Sequence, residues 1–214
     1  RGIGFEMVKQ FLSNGHQVMA ISRNKVKLIK LEKLGAKILA FDLANEDFSA
    51  LIDAVKSFGK IDILINNAGV LVNKSLSKMT NEDIKNVYNV NVFSIIKLTR
   101  DLLLHFSNDA HIVNISSVGG VQGSVKFPGL SVYSSSKGAI SILTECLAEE
   151  FKQNSIRFNA LALGAVQTEM LEEAFPDYEA NISSKEMANY IYRFATQDGK
   201  FFNGKILTVS SSNP

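Results

Sequence analysis

The feature that most restricts how this chain can fold is an alternation between two periods of hydrophobicity. Short, almost wholly apolar runs recur at 18–21, 38–41, 61–65, 112–115, 156–163 and 206–209. Between them lie longer stretches whose apolar residues fall three and four apart. The first holds Ile3, Met7, Val8, Phe11 and Leu12 and ends at Asn14-Gly15. Others cover 24–34 (stopped by Gly35), 46–58, 81–106, 131–152 and 183–197. A strand buried on one face would alternate apolar with polar residues. Runs that are apolar throughout are strands buried on both faces, and the helices between them are what cover those faces. The expected fold class is therefore α/β, a Rossmann-like doubly wound parallel sheet with helices on both faces. The stretch at 81–106 also carries a start signal, Thr80 followed three residues later by Asp83, the pattern of a capping box.

Nothing in the sequence divides the chain. There is no internal repeat, low-complexity segment or Pro/Gly-rich linker, and the three prolines are Pro128, Pro176 and Pro214. Residues 1–214 read as a single domain. With 46% hydrophobic and 21% charged residues, a disordered chain is excluded. No apolar run approaches the roughly 18 residues of a membrane span. The net charge of +2 gives no case for nucleic acid or an anionic membrane. Cys146 is the single cysteine, which suits a reducing, cytoplasmic setting. His16, His105 and His111 are scattered, with no metal-ligand spacing and no cysteine cluster, so no metal site is expected.

On a doubly wound sheet, ligands bind beyond the carboxyl ends of the strands, so the residues there are the place to look for function. The chain opens with Arg1-Gly2-Ile3-Gly4 and runs straight into a helix. Glycines there allow a phosphate to approach the helix N-terminus, although a helix that merely starts with glycines has the same sequence. The strand at 18–21 is followed by Ser22-Arg23. An NAD-binding strand commonly ends in an acid that holds the ribose 2′-hydroxyl. A small neutral residue and an arginine fork suit a 2′-phosphate instead, or an exposed helix start. Asp42-Leu43 follows the next strand, and Asn66-Asn67-Ala68-Gly69 the one after. Asn91 lies inside a helical stretch, where asparagine needs either solvent or a partner. The strand at 112–115 leads into Ser116-Ser117, and the helix at 131–152 opens with Tyr133-Ser134-Ser135-Ser136-Lys137. Tyr133 and Lys137, four apart, share one helical face, and an ammonium there can stabilise a phenolate. Taken singly, this is also an ordinary surface pair.

Together these stretches resemble the classical short-chain dehydrogenase/reductase family. The resemblance rests on Gly2-Ile3-Gly4, Asp42-Leu43, Asn66 to Gly69, Asn91-Val92, Ile112 to Ser117, Tyr133 to Lys137 and Ile156 to Ala160, in one order along nearly the whole chain. It implies an oxidoreductase that interconverts a carbonyl and an alcohol by hydride transfer. Tyr133 would be the general acid/base, Lys137 would lower its pKa and hold the nicotinamide ribose, Ser117 would bond the substrate oxygen, and Asn91 would anchor a water in a proton relay. Asp42, Leu43, Asn67, Ala68 and Gly69 would line the adenosine. Gly164, Val166 and Thr168 would meet the carboxamide and phosphates. Arg1 and Arg23 match two basic positions that go with NADP(H), which is expected over NAD(H). A homodimer or homotetramer joined by the helices near 81–106 and 131–152 is a further implication.

Some features depart from the family pattern. The family's first strand is absent, so the sequence is expected to lack an N-terminal piece of about a dozen residues. Leu163-Gly164 replaces the usual Pro-Gly, and the loop between Ser117 and Tyr133 is longer than usual. Ser210 to Ser212 stand where many relatives carry Asp-Gly-Gly. Residues 167–182 mix Met170, Leu171, Phe175 and Tyr178 with five acids and are expected to form a substrate lid. Such a lid favours a neutral, partly apolar carbonyl. A 3-oxoacyl-carrier reductase is the rival substrate class. A non-catalytic NADP(H)-binding regulator is the rival from another class, and it would lack the tyrosine or the lysine.

Overall fold

The structure is a computed structural model that describes residues 1–211, so Ser212 and Pro214 lie outside the described residues. In chain order the elements are α1 (Gly2–Ser13), β1 (Met19–Ser22), α2 (Lys25–Glu32), β2 (Lys37–Ala40), α3 (Ser49–Phe58), β3 (Ile61–Asn66), α4 (Asn81–Tyr88), α5 (Ser94–Leu102), β4 (Phe106–Ser117), α6 (Ser131–Glu150), β5 (Arg157–Leu163), α7 (Glu169–Ala174), α8 (Ser184–Thr196) and β6 (Lys205–Val209). Every strand pairing is parallel. Helices alternate with these strands, as the two-period pattern requires. The chain divides into two compact units, Arg1–Gly59 with Ala165–Gln197, and Lys60–Gly164 with the segment from Asp198 on.

In the first unit β1 and β2 pair from Met19↔Lys37 to Ser22↔Ala40. Phe5, Val8 and Leu12 of α1 recur at helical spacing and pack on the buried cluster Ala20, Leu28, Leu31 and Ala36. A different part of α1 meets α8. The Phe11 and Tyr192 rings stand edge to face at 4.9 Å, and Gln10 Nε2 donates to Asn189 Oδ1 at 3.3 Å. The Asn24 side chain accepts from Lys27 N–H and caps α2.

The second unit is a four-stranded sheet in the order β3-β4-β5-β6. β4 is its spine, buried at every position from Ala110 to Ser116. It also starts earlier than its apolar run suggests. Polar Ser107-Asn108-Asp109 lies within it, where the register against β3 shifts and Asp109 adopts φ 65°.

The long helix expected over 81–106 is replaced by four helical pieces and a strand start. α4 begins with the expected capping box between Thr80 and Asp83. A π-helical turn at Asn89–Phe93 then separates α4 from α5. The cause is a long-range contact: Asn91 lies wholly buried in that turn, with its amide committed to the Val70 backbone outside the helix. Such turns break the regular ladder and are frequent at functional sites. A short 3₁₀ turn at Leu103–His105 follows α5, and β4 takes the chain from Phe106.

Candidate active site

In the second unit the site is built where β4 ends. After Ser117 the backbone turns over Val118–Gly120 and lies directly on α6. A Cβ at Gly120 would stand 2.6 Å from the amide of Gly138 and from the carbonyl carbon of Lys137, so only glycine permits this approach. The Ser117 hydroxyl is hydrogen-bonded to the Tyr133 phenol and also accepts from Gly119 N–H at 3.2 Å.

Lys137, four residues on from Tyr133, is buried, and its Nζ donates to the Ile115 carbonyl at 2.8 Å. The ammonium lies 5.9 Å from the centroid of the Tyr133 ring. Burial holds its pKa down at about 8. Burial also raises the phenol above its ordinary range, against a smaller lowering by the Ser117 hydroxyl. The lysine was expected to lower the tyrosine pKa. In this arrangement the ammonium is turned to a backbone carbonyl, and loss of solvent dominates the phenol.

Asn91 is fastened from three sides. Its Oδ1 accepts from Val70 N–H at 2.8 Å, and its Nδ2 donates to the Val70 carbonyl at 2.9 Å and to Ser136 Oγ at 3.0 Å. Asn91 thus has the partner that an interior asparagine needs. The loop after β3 is thereby pinned beside the lysine. A Cβ at Gly69 would lie 3.5 Å from both Asn91 Oδ1 and Lys137 Nζ.

Behind this cluster runs a set of buried side-chain bonds that the sequence reading missed. Asn66 Nδ2 donates to Asn114 Oδ1 at 2.8 Å, and Asn114 Nδ2 donates to Thr144 Oγ1 at 2.9 Å. Ser116 Oγ donates to the Lys137 carbonyl at 3.0 Å and lies 3.1 Å from Ser141 Oγ. These bonds tie β3, β4 and α6 together and fix which face of α6 meets the strand end. A signal was present in the sequence: Asn114 interrupts the apolar run at 112–115, Ser116 follows it directly, and Ser141 follows Lys137 by four. Isolated polar residues in such a run need buried partners.

In the first unit the expected cofactor residues gather at the start of α1 and at the ends of β1 and β2. Gly2, with φ +51°, opens α1, and Ile3 and Gly4 follow in its first turn. A Cβ at Gly2 would lie 3.3 Å from Thr168 Cγ2, so α1 and the segment entering α7 meet closely there. Thr168 caps α7 by accepting from Leu171 N–H at 3.1 Å, and Val166 is buried. Ser22 Oγ accepts from Asn24 N–H at 3.3 Å. Arg23 lies 3.9 Å from Asp42, whose Oδ1 also accepts from Ala44 N–H at 3.0 Å, and Leu43 is half-buried beside it. Arg1 presents a fork to Glu173: Nη1 donates to Oε1, and Nη2 donates to Oε2 at 2.9 Å.

Residues 167–182 form an excursion closed at its base. Gln167 N–H donates to the Ile182 carbonyl at 2.8 Å, and Gln167 Oε1 accepts from Ala180 N–H at 2.9 Å. Of the remaining expected residues, Gly164 lies in the second unit, where its N–H donates to the Val209 carbonyl at 2.9 Å. Asn67 N–H donates to the Ile65 carbonyl at 3.1 Å in the turn that carries Ala68 and Gly69. Among the described residues, no group of three His, Cys, Asp or Glu is placed to hold a metal ion. No helix among them is long and apolar enough to cross a membrane.

Chemically, the second unit can present two hydroxyl donors to one oxygen, with a buried cation behind them. That is the requirement for protonating a carbonyl oxygen or stabilising an alkoxide. Comparison with known proteins points the same way. Residues 1–179 match the family model described as short chain dehydrogenase. The chain is 33% identical over 183 residues to a diacetyl reductase ((S)-acetoin forming) of Staphylococcus aureus, covering 80% of this chain and 70% of that one. Its fold is similar to a 3-ketoacyl-(acyl-carrier-protein) reductase from Brucella melitensis complexed with NADH. The TM-score is 0.89 and the identity 27%, over 99% of this chain and 93% of that one. A short chain dehydrogenase from Burkholderia cenocepacia in complex with NADP is similar with a TM-score of 0.85 and 27% identity, over the same shares.

Proposed function

The chain belongs to the short-chain dehydrogenase family, and on that premise we propose that it is an NADP(H)-dependent carbonyl reductase and alcohol dehydrogenase with Tyr133 as its general acid/base. The coarser statement stands by itself: it is an NAD(P)-dependent oxidoreductase acting on CH–OH and C=O groups. The observation that carries the finer reading is the cluster of Ser117, Tyr133 and Lys137 where β4 meets α6.

The residues present fit a nicotinamide dinucleotide. At the start of α1, Gly2 leaves open a space that a Cβ would fill, next to Thr168, where a phosphate finds free helix N–H groups. When bound, the dinucleotide supplies or accepts the hydride. In reduction, Tyr133 Oη donates its proton to the substrate oxygen, and the Ser117 hydroxyl donates a hydrogen bond to the same oxygen. A phenol raised by burial stays protonated at neutral pH, which suits it to act as an acid. The phenolate left behind is favoured by the Lys137 ammonium, 5.9 Å from the ring centroid, while the Ser117 proton stays on the substrate oxygen. Asn91 and Ser136 hold the backbone around the lysine, where a proton relay through water would restore the phenol.

Arg1 and Arg23, with no acid at Ser22, support a 2′-phosphate over a free hydroxyl. Arg1 already meets a carboxylate with its fork, the geometry that also suits a phosphate. On the same reading the two units are parts of one dinucleotide-binding domain, and 167–182 is its substrate lid, with Met170, Leu171 and Phe175 half-buried. That composition favours a small neutral carbonyl, in keeping with the diacetyl reductase relative. A 3-oxoacyl thioester is the second reading, favoured by the similarity to the 3-ketoacyl reductase structure. Exposed Phe93, Ile96 and Ile142 on α5, its preceding turn and α6 support a homo-oligomer.

The test is NADPH and NADH oxidation against a panel holding diacetyl, longer ketones, aldehydes and a 3-oxoacyl thioester. Turnover with NADPH that vanishes in Tyr133→Phe is expected. Preference for NADH would remove the 2′-phosphate reading and keep the enzyme.

A further inference from the structure

The lid helix α7 is tied to the same cations that the cofactor reading needs. Glu173 takes the Arg1 fork with both carboxylate oxygens. Glu169 Oε1 accepts from Lys27 Nζ, and its Oε2 lies 3.9 Å from Arg1 Nε. Lys27 stands in the first turn of α2, immediately after the strand end that carries Ser22 and Arg23. Each carboxyl is held below its ordinary range, Glu169 chiefly by Lys27 and Glu173 chiefly by Arg1. The arrangement is not fully satisfied: Glu169 Oε2 is buried and has no hydrogen-bond partner. A buried oxygen without a donor costs free energy, so this state of α7 is one that a better anion can displace.

We propose that Glu169 and Glu173 act as an internal anion that competes with the cofactor's 2′-phosphate for Arg1 and Lys27, so that α7 sets how strongly the protein prefers the phosphorylated dinucleotide. This rests on the NADP(H) reading above and adds two things to it. Lys27 becomes a third 2′-phosphate cation beside Arg1 and Arg23. Binding of that phosphate also frees the tip of the 167–182 excursion, while its base stays closed at Gln167. A ligand that takes the cations from α7 pays the cost of breaking ion pairs that are exposed at Glu173 and half-buried at Glu169, which is small. A dinucleotide without the phosphate leaves the pairs intact. The lid is therefore released by one form of the cofactor and not by the other.

The experiment measures dissociation constants for 2′,5′-ADP and 5′-AMP, which differ only in the 2′-phosphate. It compares the whole protein with Glu173→Gln, Glu169→Gln and Lys27→Met. The glutamine variants should each tighten 2′,5′-ADP by about fivefold, the size an exposed pair supplies, and leave 5′-AMP unchanged. Lys27→Met should weaken 2′,5′-ADP alone. Equal changes for both ligands would mean that α7 acts only on the shape of the site, and would overturn the proposal. Glutamine variants that bind 2′,5′-ADP as the parent does, or more weakly, would overturn it as well. Failure of the underlying reading looks different: the unsubstituted protein would bind the two ligands equally, and Arg1→Ala would change neither.

Discussion

Around Tyr133 the buried charge is an ammonium held by a backbone carbonyl, and its neighbours are neutral amides and hydroxyls bonded to one another. In the unit that carries α7, Arg1, Arg23 and Lys27 each stand against a carboxylate and keep much of their surface in water. The two regions hold polar groups in place under opposite solvation. Where water is excluded, position comes from hydrogen bonds that are costly to leave unmade, and the groups are fixed before a substrate arrives. Where water remains, ion pairs are worth little and exchange partners easily. The first arrangement suits chemistry at one oxygen. The second suits a cofactor grip that can be tuned.

The largest expected effect removes the proposed acid. Tyr133→Phe should lower the reduction rate by about 10²–10⁴-fold, with cofactor binding and thermal midpoint near those of the parent. A comparable rate would place the proton donor elsewhere.

Next is the buried charge. Lys137 titrates at about 8 in the folded chain against an ordinary 10.5. Below pH 8 both folded and unfolded chains hold the proton, so the burial penalty is fully present. Between about 8 and 10.5 the unfolded chain binds more protons, and stability rises with pH. Urea midpoints of the parent should therefore gain on those of Lys137→Met across that window, by at most about 3 kcal/mol. Carbonyl reduction should fall as pH rises through about 8, where the folded chain loses the ammonium. A flat stability difference would contradict the solvation contrast.

A smaller effect tests the neutral frame. Asn114→Leu leaves Asn66 Nδ2 and Thr144 Oγ1 short of a buried partner, at a cost of about 2 kcal/mol in urea unfolding. The smallest concerns the exposed pairs. Glu173→Gln should change stability by less than about 1 kcal/mol, and that difference should shrink in molar salt. A larger, salt-independent change would erase the distinction between the two regions.

Much of this was legible in the sequence, for identifiable reasons. Strands such as 112–115 and 156–163 are apolar on both faces, so their number and parallel pairing could be read from periodicity alone. Thr80 and Asp83 gave the start of α4, because a capping box is a local signal. The break at Asn89–Phe93 was not legible. It depends on Asn91 bonding Val70, 21 positions away, and a helical period continues through it. The early start of β4 was hidden for another reason: Ser107, Asn108 and Asp109 carry no apolar pattern. Tyr133, Lys137 and Ser117 could be named through the resemblance to the short-chain dehydrogenase motifs, since taken singly the tyrosine and lysine read as an ordinary surface pair. The attachment of α7 to Arg1 and Lys27 could not, since an acidic stretch reads alike whether it faces water or a cation.

The most direct test of the central claim follows the hydride. NADPH deuterated at both nicotinamide C4 positions is mixed with diacetyl and, separately, with a 3-oxoacyl thioester, and the product alcohol is weighed. The account predicts one deuterium on the former carbonyl carbon, formed at least about 100-fold more slowly by Tyr133→Phe at equal NADPH occupancy. A substrate reduced without deuterium, or reduced equally fast by the phenylalanine variant, would contradict it.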